Sequence, residues 1–242
     1  MDLSISYHPI SKEQMQEWYF DTFEDMGSAE TLKLRIPQEQ LKEHTLEEVE
    51  KYYFEKYKSM IKRSRELEYD NFNKWHAYFI AIVQGFFEKF YFVHGSSISG
   101  ILDKDFHAKY VSDWNNIVPA EYIEDLESSK KLVGNFSGGA YLSSEQVKQL
   151  LHDYENDSEI KEILDEEFFG KKIDVFLEAL KYASQNDQGL LEATRVIDNQ
   201  EELFEEPTCF SNVFNCDVIS AAVYTSELAE HFDTIYKGDG KD

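Results

Sequence analysis

The chain has 242 residues, enough for one large domain or two small ones, and enough to bury a core without disulfide or metal staples. Its 18 Phe and 15 Tyr exclude a disordered polymer, and its 4 Pro and 11 Gly favour long helices over elaborate loops. Forty-eight acids against 24 bases give a net charge of −24, a field that repels nucleic-acid phosphates and anionic lipid surfaces and attracts basic partners.

Leu3, Ile5 and Tyr7 alternate with polar residues, predicting a half-buried strand with one wet face, ended by Pro9. Ser11 with Gln14 forms a capping box for a helix carrying Met15, Trp18, Tyr19, Phe23 and Met26, stopped at Gly27. Leu32, Leu34 and Ile36 read as a second short strand, and Pro37 as the first turn of a short helix. Thr45 and Glu48 cap a long helix with Val49, Tyr53, Tyr57, Met60 and Leu67 on one side. Residues 72–93 read as one central apolar helix. His76, Gln84, Glu88 and Lys89 interrupt it, which argues against a membrane span.

His94 to Gly100 reads as a turn. Gly95 and Gly100 are five apart, so G-x-S-x-G is not matched. Phe106, Tyr110, Trp114, Ile117, Tyr122 and Leu126 pack short helices broken by Pro119, and Ser137-Gly138-Gly139 reads as a turn. Ser143 and Gln146 cap a helix carrying Val147, Leu150, Leu151 and Tyr154. Two more amphipathic helices follow, on Ile160, Ile163, Leu164 and Phe168, and on Ile173, Phe176, Leu177, Leu180 and Ala183. Asn186 to Gly189 turns the chain into a buried strand, Leu190–Ile197, and Val218–Tyr224 reads as a second one. Thr225 or Ser226 caps a last helix on Leu228, Phe232 and Ile235, before a loose tail.

These elements predict an α+β, predominantly helical fold. A small buried sheet is built from N-terminal and C-terminal strands and covered by amphipathic helices, in one domain over 1–242 with a possible helical subdomain at 46–130.

The order of a short N-terminal strand, a capped helix, the helix start Tyr141-Leu142-Ser143-Ser144-Glu145-Gln146-Val147 and a long helix running into a hydrophobic strand resembles the YfbM-like family of small bacterial proteins. The resemblance covers residues 2–24 and about 140–197, and the aromatic helices at 46–93 exceed the family pattern. It implies a bacterial cytosolic domain and carries over no catalytic residue.

Seven histidines include no H-E-x-x-H pattern, and Glu227 with His231 at i,i+4 reads as a surface pair. Cys209 and Cys216, spaced C-x6-C, read as reduced structural thiols; with His231 and Asp217 they are the least implausible nucleophilic set. No cofactor, metal or nucleic acid is expected. The N-terminal Met1-Asp2-Leu3-Ser4 lacks the basic region and apolar core of a signal peptide, so a cytoplasmic location is expected.

Charge is uneven. Residues 46–75 hold seven acids and seven bases, whereas 121–206 hold 22 acids and eight bases, a net of −14. Two clusters stand out: Asp165-Glu166-Glu167, and Asp198, Glu201, Glu202, Glu205 and Glu206 with aromatic neighbours Phe204 and Phe210. They predict a partner-binding face in an immunity or antitoxin-type protein that occludes a basic toxin domain, with carboxylates steering encounter and aromatics supplying affinity. The alternatives are an enzyme with its site near the ends of the two C-terminal strands and a homo-oligomeric protein; a concave pocket with perturbed titratable groups would favour the former, a large apolar patch the latter.

Overall fold

The computed structural model describes residues 4–41, 45–67, 74–122, 138–198, 208–217 and 219–220. Strand β1 (Ser4–Ile10) runs through the middle of a four-stranded antiparallel sheet with β2 (Tyr91–His94), β3 (Gly138–Leu142) and β4 (Gly189–Thr194), in the order β2-β1-β4-β3. The architecture is the expected one: α+β, predominantly helical, with β1 and β4, from the N- and C-terminal regions, at the centre of the sheet and two mid-chain strands at its edges.

Helices cover both faces. Side chains alternate along a strand, and the two faces divide the core accordingly. Ile5, Tyr7, Leu142 and Leu190 join one cluster with α6 (Ser144–Asn156), α7 (Ser158–Glu167) and α8 (Lys172–Gln185). Tyr141, Leu191 and Ala193 join the other, with α3 (Leu46–Arg65), α4 (Lys74–Phe87) and the helical run made of α1 (Lys12–Met15), a π-helical segment (Gln16–Phe20) and α2 (Asp21–Glu24). A short helix, α5 (Lys104–Tyr110), adds Phe106 and Tyr110 to the first cluster.

All three capping boxes form. Ser11, Thr45 and Ser143 accept from the backbone N–H of Gln14, Glu48 and Gln146, whose side chains return to the cap backbone.

Five local expectations are corrected. β1 has no wet face: Ser6 and His8 are buried, because Gln84 of α4 supplies their polar surroundings. The helix expected over 72–93 ends at Phe87, and Tyr91–His94 is a sheet strand. Apolar residues on every side made the two indistinguishable by periodicity; the break is fixed by Gln84 Nε2, which donates to the carbonyls of Pro9 and Lys89 at 3.0 and 2.8 Å. Leu32–Ile36 forms no strand. The Arg35 N–H donates to the Phe86 carbonyl at the end of α4, and the Arg35 carbonyl accepts from the Asn212 and Asn215 amides, so no second strand is needed. Gly138 and Gly139 open strand β3 rather than a turn, since a Cβ on Gly139 would lie 2.4 Å from Glu192 Oε1. Within the run expected as a strand over Val218–Tyr224, Ile219 and Ser220 are helical, their N–H groups bonded to Asp217 Oδ1; Val218 and residues 221–224 lie outside the described residues. The helix expected after Thr225 lies outside them too.

Residues 208–217 form a strap across the α3–α4 pair. A two-stranded ribbon, β5 (Ile197–Asp198) with β6 (Thr208–Cys209), leads into it. Lys56 Nζ donates to the carbonyls of Cys209 and Ser211, Asn215 Nδ2 donates to the Gly85 carbonyl, and Phe90 N–H donates to the Asn215 carbonyl. Among the described residues, no helix is long and apolar enough to cross a membrane.

Candidate functional site

The acidic residues singled out in the sequence are divided rather than gathered. Asp165 accepts from Lys161 Nζ and Tyr154 Oη, each at 2.8 Å, and the lysine beside it holds its carboxyl below the usual range. Glu166, the next residue, is exposed. Glu167 turns inward, and its Oε1 accepts from the Ser97 N–H at 2.7 Å. Asp198 lies on β5. Phe210 donates its N–H to the Val196 carbonyl and is half-buried against the α3–α4 cluster, on the opposite side of the sheet from α7. Glu201, Glu202, Phe204, Glu205 and Glu206 lie outside the described residues. The two clusters therefore do not meet on one face as far as the described residues extend.

Glu166 belongs to a row on α7 with two acids that the sequence did not single out. Glu159, Glu162 and Glu166 are exposed and spaced i, i+3, i+7, so they share one helix face. Glu155 and Asp157 are exposed at the corner that leads into it. Lys161 is already engaged by Asp165 and Tyr154. Among the described residues the row makes no ion pair, so it concentrates negative charge on one helix face, and its spacing was legible in the sequence.

The second grouping is internal. Glu192, a lone carboxylate within the apolar strand β4, is 2% exposed. It accepts from Tyr7 Oη at 3.2 Å, from the Ser99 N–H at 3.2 Å and from Ser99 Oγ. Tyr7 Oη accepts in turn from the Ile98 N–H at 3.1 Å. Three consecutive backbone donors of the 95–100 loop, on Ser97, Ile98 and Ser99, are thus satisfied by Glu167, Tyr7 and Glu192, side chains from α7, β1 and β4. Burial raises the Glu192 carboxyl above the usual carboxylate range against the pull of its donors. Burial also raises Glu167, with Lys172 opposing, and raises the Tyr7 phenol further beside Glu192. Such a set of shifted groups marks a candidate site, but this one is sealed by the loop and by Gly139. It can hold a proton and fix a loop; it presents no reacting atom to a dissolved molecule.

The third feature is an open groove of about 470 Å³ between the facing ends of α3 and α4. Met60, Leu67, Trp75, Phe79 and Phe210 make its apolar lining, with Arg63 and Glu66 also on its wall. Among the described residues its wall carries one cation and one anion.

The thiols are not activated. Burial pushes Cys209 up to about 11 and Cys216 higher still, so neither is held as a thiolate. Asp217 is engaged as the cap of Ile219 and Ser220 and by Lys89 at 3.6 Å, and Glu227 and His231 lie outside the described residues. Among the described residues, no group of three or more His, Cys, Asp or Glu is placed to hold a metal ion.

In comparisons with known proteins, no family model, no curated protein and no solved structure matches this chain.

Proposed function

We propose that the protein is a cytoplasmic bacterial binding protein of the immunity or antitoxin type, which occludes a basic partner domain through an acidic face. The observation that carries this reading is the exposed row Glu159, Glu162 and Glu166 on α7, within a chain of net charge −24. A helix face fixes the spacing of the carboxylates before the partner arrives, so little ordering is required on association. Their field steers a cationic domain and selects against anionic ones. The resemblance to the YfbM-like family assigns no residue to this surface.

The test is capture of the tagged full chain with its bound proteins from its host at low and at moderate salt, in parallel with the triple variant Glu159→Lys/Glu162→Lys/Glu166→Lys. A stoichiometric basic protein retained by the wild type and lost by the variant supports the proposal. Equal retention by both moves the docking surface elsewhere, and retention of nothing by the wild type from cells expressing the partner's gene neighbourhood removes the proposal's support.

A further inference from the structure

The loop Gly95–Gly100 is held from below by two carboxylates and a phenol. Its Ser97 and Ser99 N–H groups rest on the carboxylates of Glu167 and Glu192, and its Ile98 N–H rests on the phenol oxygen that bonds Glu192. Ile98 and Ser96 are fully buried beneath it. Gly95, at φ +75, gives the loop a left-handed pivot at one end. At the other end Ser97 Oγ accepts from the Gly100 N–H at 2.9 Å, closing a compact turn.

The groups that face Glu192 come from every element around it. β1 supplies the Tyr7 phenol, whose ring packs against the stacked Phe168 and Phe176 rings at 6.0 and 5.0 Å. The loop supplies the Ser99 hydroxyl, and β3 supplies Gly139, which has no side chain. α7 supplies Glu167, a like charge, acting on the Tyr7 side of the cluster. α8 supplies Lys172, whose Nζ lies 4.1 Å from the Phe169 ring centroid and offsets Glu167.

A carboxyl in this position has two states of different consequence. When neutral, it donates its own proton to Ser99 Oγ and still accepts from Tyr7 and the Ser99 N–H. When ionised, it is a charge sealed from water beneath the loop whose Ser99 it bonds, and lifting that loop rehydrates it. We propose that the Gly95–Gly100 loop is a proton-controlled latch, shut while Glu192 holds its proton and released when that carboxyl ionises. The raised position of both carboxyls has the sign this requires: the shut state is favoured at lower pH and weakens as pH rises. Release also frees Glu167, one residue from Glu166, and so loosens the end of the helix that carries the exposed row. That last consequence rests on the proposed docking face; the latch itself does not.

The experiment is amide hydrogen exchange on the full-length protein without partner, from about pH 5 to about pH 9, corrected for intrinsic exchange. Protection of the Ser97, Ile98 and Ser99 amides is expected to fall with rising pH, by up to roughly tenfold per pH unit beyond the Glu192 midpoint, while the β4 amides hold. In Glu192→Gln, which keeps the shape and stays neutral, the loop amides are expected to remain protected throughout. Protection that is independent of pH in the wild type, or that falls equally in the variant, overturns the latch. If the variant does not fold, the carboxyl-carbon titration of Glu192 in the wild type decides. A midpoint above the ordinary carboxylate range that coincides with the loss of protection supports the latch, and a midpoint within that range overturns it. No partner enters the measurement, so its failure leaves the docking proposal standing, and failure of the docking proposal leaves this result readable.

Discussion

Glu166 and Glu167 are neighbours in the chain and opposites in the structure. One stands in water in a row with Glu159 and Glu162; the other bends under the helix end and takes the backbone of the 95–100 loop. Glu192 extends the inward set, sealed beside Tyr7. The outward acids interact with water and with each other across a high-dielectric medium, where each costs little to keep and contributes little to stability. The inward acids replace water with backbone and phenol donors, and removing one strands those donors. The same residue type thus stands free in water on one side of a helix and serves architecture on the other, and solvation decides which.

The largest effect should come from breaking the inward set. Glu192→Leu leaves the Tyr7 hydroxyl and both Ser99 donors without their acceptor in a buried site, and is expected to cost about 3–5 kcal/mol in denaturant unfolding. Glu192→Gln at neutral pH should cost no more than about 1 kcal/mol, since it keeps an acceptor and a donor in place. Equal costs for the two would mean that the network holds nothing.

The pH dependence sharpens the same contrast, because the buried groups act with two signs. Burial depresses His8 and His76 to about 4, with the Gln84 hydrogen bond partly opposing this for His8. The unfolded chain protonates these rings near their ordinary value while the folded one does not. Their stabilisation is therefore full above about 6.5 and is lost as pH falls toward 4, by about 3 kcal/mol for a ring as sealed as His8. Glu192 is raised, so its contribution is full below the ordinary carboxylate value and is lost as pH rises through its folded value. Urea unfolding across pH should give a maximum between these limbs. Glu192→Gln should flatten the alkaline limb alone; a variant that flattens the acid limb instead contradicts the assignment.

A smaller difference separates the neighbours. Glu167→Ala should cost on the order of 1 kcal/mol, for a charge-assisted bond in a half-exposed position. Glu166→Ala should stay within about 0.5 kcal/mol. Thermal melts of the two single variants check this.

Much of the frame was legible in the residues. Ser11 with Gln14, Thr45 with Glu48 and Ser143 with Gln146 announced three helix starts, because the box is a local hydrogen-bond pattern needing no tertiary partner. The stripes on α6, α7 and α8 and the run at Leu190 announced the surfaces that pack. The end of α4 was not legible, since helix and strand residues are apolar on all sides there and the break depends on Gln84 reaching Lys89. Nor could Ser6 and His8 be read as buried, because the group that satisfies them is 76 residues from His8 in sequence. The inward turn of Glu167 depends on a loop 70 residues away. By contrast, the lone Glu192 in an apolar strand and the i, i+3, i+7 spacing of Glu159, Glu162 and Glu166 were both visible in the residues.

The account turns on the outward row being a recognition surface. The direct measurement is calorimetric titration of the purified basic partner into the wild type and into Glu159→Lys/Glu162→Lys/Glu166→Lys, each at about 0.05 and about 0.3 M salt. The account predicts wild-type affinity that weakens with salt, a loss of at least about tenfold in the variant at low salt, and unchanged variant stability. Equal affinity of both proteins at both salts would contradict it.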